Sequence, residues 1–163
     1  MTTFNTTKDL DAIKAYANVC FQCGVCMGGC PVARVNDRFH PRRLIRELAI
    51  GSSEDVLKGE TIWLCAQCHI CSETCPQGIG IPDLIIGLRN FAINIGVLPP
   101  ESFVKNVKQL VETGRLVPPS SRIEQLRDRL GLGRIEQAAA EEVQHLITNT
   151  KFKKLVNSKR ENQ

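Results

Sequence analysis

The sequence predicts an all-α protein built from a duplicated loop-and-helix core followed by a helical extension. Three observations lead there. Two cysteine runs of identical spacing recur 45 residues apart, from Cys20 to Cys65. Each is followed by an apolar stretch that opens on a proline and stops at a glycine, Pro41 to Gly51 and Pro82 to Gly96. Proline suits the first turn of a helix, where its missing N–H costs nothing, and glycine suits the left-handed exit. Between the runs almost nothing alternates with period two, so no significant β-sheet is expected.

A helix should lead into the first run, because Leu10, Ile13, Tyr16 and Ala17 recur at helical spacing after a possible Thr7 cap. The stretch from Pro41 continues to Ile50, Ser53 to Lys58 makes one short helical turn, and the stretch from Pro82 continues to about Ile95. Pro99 and Pro100 then open a helix from Glu101 to Thr113 that Gly114 ends. Ser121-Arg122-Ile123-Glu124 has the spacing of a capping box and predicts a helix to about Leu130. A last helix, Ile135 to Ile147, would carry an apolar line of Ile135, Ala139, Val143 and Leu146. Lys151 to Arg160 is basic and expected to be loose. The organisation is thus a core over residues 1–98 and a helical extension over 99–163, the latter suited to partner docking.

Six Phe, one Tyr and one Trp among 163 residues leave the core to small aliphatic side chains, which suits a helical protein organised around inorganic centres. The first ten residues hold no apolar segment of the kind a secretory signal needs, and nothing of a transit peptide. The most apolar window, Ile79 to Leu98, is interrupted by Asp83, Arg89, Asn90 and Asn94, a poor membrane span. A soluble, cytoplasmic protein with no direct membrane insertion is the expectation, and in a reducing cytosol eight closely spaced thiols point to metal rather than disulfides.

All eight cysteines lie in the two runs, Cys20-x2-Cys23-x2-Cys26-x3-Cys30-Pro31 and Cys65-x2-Cys68-x2-Cys71-x3-Cys75-Pro76. A cubane needs four thiolates at tetrahedral corners. A tight turn supplies three when cysteines come every third residue, and in proteins with two such runs the fourth crosses to the other cluster. The expected ligand sets for two [4Fe–4S] clusters are therefore Cys20, Cys23, Cys26 and Cys75, and Cys65, Cys68, Cys71 and Cys30. The crossing makes metal binding and folding one event. Gly24, Gly28 and Gly29 are expected to let backbone N–H groups approach sulfur, and Pro31 and Pro76 to fix the chain as it leaves. A zinc-held interaction module is the competing reading; zinc needs pairs of cysteines, and explains neither the third cysteine nor the closing Cys-Pro.

The formal charge of +4 counts every cysteine as a neutral thiol. Each oxidised cluster adds about +2 from its core and about −4 from its thiolates, so two bring the total to about zero. A nucleic-acid partner loses its main support on that count. Arg34, Arg38, Arg42, Arg43 and Arg46 form either a solvated face that balances cluster charge or a docking surface for an acidic partner, with Arg42 and Arg46 on the side of their helix opposite Leu44 and Leu48. Trp63 reads as a core aromatic beside the second run. His69 has no corner left to occupy and belongs at the surface or behind the ligands; His40 reads as a helix cap or surface residue, and His145 as part of the polar tail. No phosphate loop, flavin or nicotinamide fingerprint or acid–base pair emerges, and Gly131-Leu132-Gly133 is a helix stop. The chain has wiring and no catalytic residue of its own.

With both ligand runs, the Trp63-Leu64-Cys65 opening of the second, and the helix Ile81-Pro82-Asp83-Leu84-Ile85-Ile86-Gly87-Leu88-Arg89, the chain resembles the iron–sulfur C subunit (HdrC) of heterodisulfide reductase over about residues 10 to 98. The resemblance implies an alpha-helical ferredoxin fold that relays single electrons from a flavin-containing, iron–sulfur partner (HdrA) to a CCG-type catalytic partner (HdrB). In that family HdrB reduces a disulfide such as CoM-S-S-CoB, in the anaerobic setting of methanogenesis, and a hydrogenase or formate dehydrogenase can join a larger assembly. This chain has no adjacent Cys-Cys pair, so CCG chemistry must reside in a partner. The ligand runs alone also resemble the electron-transfer subunits of glycerol-3-phosphate, hydroxy-acid and succinate dehydrogenases. Those chains often add CCG repeats, a [2Fe–2S] domain or membrane helices, which this one lacks.

Overall fold

The computed structural model describes residues 10–117, 119–133, 135 and 140–148. Among them there are helices and no strand. Contacts cluster the chain into two compact units, Met1–Pro99 and Pro100–Gln163.

In the first unit α1 (Leu10–Ala17) leads into the first cysteine run, which contains the short α2 (Val25–Gly28). Next come α3 (Pro41–Ala49), α4 (Ser53–Lys58) and α5 (Thr61–Leu64); the second run contains α6 (Ile70–Glu73) and leads to α7 (Ile81–Asn94). The possible cap at Thr7 lies outside the described residues. The four-residue helices α2, α5 and α6 are the elements the sequence reading missed, since one turn is too short to show a periodicity.

Proline and glycine punctuate α3 and α7 as their chemistry requires. Pro41 is the first helical residue after an extended His40, and α3 buries Leu44, Ile45 and Leu48 while Arg42, Arg43 and Arg46 stay exposed. At its end Gly51, at φ 94°, sends its N–H to the Leu48 carbonyl and Ser52 sends its own to Glu47. The end of α7 repeats this: Gly96, at φ 90°, donates to Ile93 and Val97 to Ala92. Both are Schellman exits, which satisfy carbonyls that a helix end would leave bare. The two beginnings differ. α7 starts one residue ahead of Pro82 and runs for 14 residues against 9 in α3.

The core is aliphatic, formed by Ile13, Leu44, Ile45, Leu48, Ile62, Leu84, Ile85 and Leu88 with Phe39 as its fully buried aromatic. α1 lays Ile13 and Ala17 against α3 and α7, and α2 packs on α6. A long-range clamp closes this unit: the Tyr16 hydroxyl donates to the Gly78 carbonyl at 2.9 Å and accepts from the Gly80 N–H at 3.0 Å.

In the second unit α8 (Glu101–Thr113) packs against α10 (Ala140–Thr148), with α9 (Ser121–Arg129) between them in sequence. Gly114, at φ 68°, ends α8 by donating to the Leu110 carbonyl at 2.8 Å. Two expectations change. The cap of α9 is Ser120, whose extended backbone lets its hydroxyl accept from the Ile123 N–H, while Ser121 is already helical; no reciprocal box with Glu124 can form. Ile135 lies outside α10 and Leu146 is 68 % exposed, so the anticipated apolar line is not a buried seam. Ala139 and the basic stretch Lys151 to Arg160 lie outside the described residues. No helix among the described residues is long and apolar enough to cross a membrane.

Candidate metal centres

The two cysteine runs have the same backbone. Gln22 and Gln67, each just before the second cysteine, both adopt φ 56°. The residue after that cysteine is left-handed again: Gly24 at φ 84° and His69 at φ 61°. Left-handed backbone at non-glycine residues is costly, and its recurrence at matching positions shows a wrap imposed by the site. Each run then makes one helical turn, α2 or α6. The wrap turns backbone N–H groups onto sulfur: Gln22 N donates to Cys20 Sγ at 3.4 Å and Gln67 N to Cys65 Sγ at 3.4 Å, while Ala33 N donates to Cys30 Sγ at 3.5 Å.

Among the described residues the N–H groups that reach sulfur are thus those of Gln22, Gln67 and Ala33, rather than those of the glycines themselves. Gly24 serves the left-handed bend, a Cβ on Gly28 would meet open space, and a Cβ on Gly29 would sit 2.7 Å from Ile70 Cγ2. Gly29 is thus the notch in which the second run rests on the first.

The sulfurs gather around two cavities. One is lined by Cys20, Cys23, Cys26 and Cys75, with Phe21, Arg42 and Ile79 in its walls. The other is lined by Cys65, Cys68, Cys71 and Cys30, with Phe39, Pro41 and Pro82. Ile81, at the start of α7, lines both. In each run the second cysteine, Cys23 or Cys68, is the exposed one; Cys30 alone of the eight is buried.

Burial pushes the Cys26, Cys65 and Cys71 thiols up, the last to about 12. Neighbouring sulfurs add to it: Cys20, Cys23 and Cys75 act on Cys26, and Cys65, Cys26, Cys68 and Cys30 on Cys71. Thiolates so crowded need positive charge among them, which an iron–sulfide core supplies. Two buried donors point the same way. Gln67 Nε2 and Ser72 Oγ, both in the second run, have no hydrogen-bond partner among the described residues, whereas the matching Gln22 Nε2 donates to Cys20 Sγ at 3.4 Å. Inorganic sulfide offers such donors an acceptor. The residues present therefore fit two iron–sulfur cubanes.

The second cavity has a charged brace that sequence reasoning missed. Arg89 on α7 donates through Nε to the Ile62 carbonyl at 2.7 Å and through Nη2 to the Cys65 carbonyl at 3.0 Å. Its guanidinium lies 5.6 Å from the centre of the Trp63 ring, and its charge draws the Cys65 thiol down against burial. Trp63 is indeed a core aromatic, at 8 % exposure. His69 is exposed and caps α6, and His40 caps α3 through its backbone. The paired glutamines were within reach of the sequence, since both runs read x-Gln-Cys after their first cysteine.

A family model described as a 4Fe–4S dicluster domain matches residues 16–79. Among curated relatives, the iron–sulfur C subunit of the CoB–CoM heterodisulfide reductase of Methanopyrus kandleri is 32 % identical, over 84 % of this chain and 73 % of the relative. The C subunit of the ferredoxin:CoB–CoM heterodisulfide reductase of Methanosarcina mazei is 36 % identical, over 86 % of this chain and 89 % of its own. A protein of Archaeoglobus profundus, named for its likeness to the C subunit of heterodisulfide reductase, is 28 % identical over 83 % of this chain. The doubled wrap, eight sulfurs around two cavities and these relatives agree on two [4Fe–4S] clusters in an all-α fold. The chain belongs to the family of heterodisulfide reductase C subunits, HdrC.

Proposed function

We propose that this chain is the electron-transfer subunit of a heterodisulfide reductase complex, passing single electrons between a flavin-containing HdrA partner and a CCG-type HdrB partner, where the disulfide is reduced. The observation that carries the reading is the pair of four-sulfur cavities sharing the apolar wall of Ile81. When bound, a [4Fe–4S] cluster takes up and gives back one electron at a time. Reduction of a disulfide to two thiols takes two electrons and two protons, so two single-electron stations in series match the demand.

The proposed ligands are Cys20, Cys23, Cys26 and Cys75 for one cluster and Cys65, Cys68, Cys71 and Cys30 for the other. The N–H groups of Gln22, Gln67 and Ala33 steady the sulfurs, Ile81 stands in the wall of both sites, and Phe39 and Pro82 help keep water from the second. The chain itself is non-catalytic: it has no adjacent cysteine pair and no acid–base constellation, so disulfide chemistry belongs to the partner. Residues 99–163, with α8 and α10 packed together, form the docking extension.

Anaerobically reconstituted protein should hold eight irons per chain and show two reduced-cluster signals by electron paramagnetic resonance. Reduced by the flavin partner, it should re-oxidise only when a disulfide and the CCG-type partner are both present. Clearly fewer irons after full reconstitution, or disulfide turnover by this chain unaided, would sink the reading.

A further inference from the structure

The five arginines between Arg34 and Arg46 are divided by what they touch. Arg34 donates to the Gly28 carbonyl at 3.0 Å, Arg38 pairs with Glu60 at 2.9 Å, and Arg43 pairs with Glu47 at 2.8 Å. Arg42 and Arg46, one turn apart on the exposed face of α3, form no ion pair among the described residues. With His40, Arg43, Gln22 and Met27 they line an open groove. Arg42 also lines the cavity of Cys20, Cys23, Cys26 and Cys75, and Gln22 reaches Cys20 Sγ through its amide. Beside the cavity stands an apolar shoulder, Phe21 at 70 % and Val25 at 46 % exposure.

We propose that this groove and its shoulder are the docking surface for an acidic protein face that exchanges electrons with the first cavity. The inference rests on the relay reading and names the surface through which one of its two partners engages. Guanidinium groups take carboxylates in paired hydrogen bonds, and unpaired positive charge speeds encounter with an acidic partner. An exposed aromatic beside the charges supplies the apolar anchor that interfaces concentrate at their centre.

At the second cavity the competing role, balancing the charge of a cluster, has a different form. Arg89 beside the second cavity is half-buried and held by two carbonyls and an indole. Arg46 lines the groove and neither sulfur cavity, so its charge faces what lies outside. The exposed Cys23 places the first cavity within reach of such a partner.

The test uses the full, iron-loaded chain carrying R42Q and R46Q together, with R38Q as a control and the double Lys variant to keep charge. Its association with each of the two proposed partners, the flavin protein and the CCG-type protein, is measured at several salt concentrations, alongside iron content and both cluster potentials. Expected are full iron, binding to one of the two partners weakened about tenfold with a shallower salt dependence, normal binding by R38Q, and substantial rescue by Lys. Unchanged binding of both partners overturns the proposal, as does a shift in the first-cavity potential with binding intact, which would assign these arginines to charge balance. A wild-type chain that associates with neither partner sinks the relay reading and this one with it.

Discussion

The two sulfur cavities share a backbone and differ in their walls. The first is open at its rim, with Phe21 exposed and Arg42 turned toward a groove. The second has Phe39 at 1 % exposure and Cys30 at 7 % in its walls, exposes Cys68 as the first exposes Cys23, and has its positive charge behind it, on Arg89, which holds the Cys65 carbonyl. Repetition of the wrap fixes which cofactor is held. The walls, which do not repeat, are free to set how each site meets solvent, charge and partners.

The largest effect should come from exchanging the ligand that crosses into the second cavity. Cys30→Ser should cost the cluster of the second run, about half of the iron, and with it much of the fold, because metal binding and folding are coupled. Iron analysis with electron paramagnetic resonance checks it; loss confined to the signal of the first-run cluster would refute the crossed sets.

Arg89→Met should come next. It leaves the Ile62 and Cys65 carbonyls without their donor, a loss of about 3 kcal/mol on unfolding, and lowers the potential of the second cluster while leaving the first unmoved. Redox titration followed by spectroscopy separates the two, and Arg89→Lys should restore part of the shift. Equal movement of both potentials would show that the brace does not distinguish the cavities.

Gly29→Val tests the notch between the runs. With Ile70 Cγ2 2.7 Å from any added Cβ, the cost should be about 2 kcal/mol, and Ile70→Ala in the same chain should recover most of it. Denaturation of the holoprotein gives the measurement, and a failure of the second change to rescue would place the strain elsewhere.

The matched left-handed positions give a finer comparison. Gly24→Ala should destabilise by about 1 kcal/mol, because φ is 84° and the new methyl meets Arg42 Nη1 at 3.4 Å, whereas His69→Gly should be neutral or stabilising by less than about 1 kcal/mol. The smallest effect on the metal should follow removal of everything after Leu116. Iron per chain should stay the same while assembly with partners weakens, and loss of iron would join the tail to the core.

What could be read without a structure was what local chemistry determines. Cysteine spacing named the cofactor, and proline and glycine bracketed α3, α7 and α8, because backbone φ and missing donors act on their own neighbours. Single-turn α2 and α6 carry no periodic signal. Ser120 and Ser121 offer the same hydroxyl one residue apart, and only backbone conformation decides between them. Arg89 and Tyr16 were opaque for a different reason: their partners are carbonyls and N–H groups from distant segments, and every residue offers those alike. The grouping of sulfurs was expected from the duplicated run, while the unequal walls depend on which side chains α3 and α7 bring together.

The phenol of Tyr16 has a consequence for how the molecule is made. Its acceptor and its donor lie 62 and 64 positions further along, so a growing chain leaving the ribosome cannot seat its first helix until residue 80 has emerged. Iron delivery therefore waits until both runs have emerged, and a translation product halted between them has nowhere to store it.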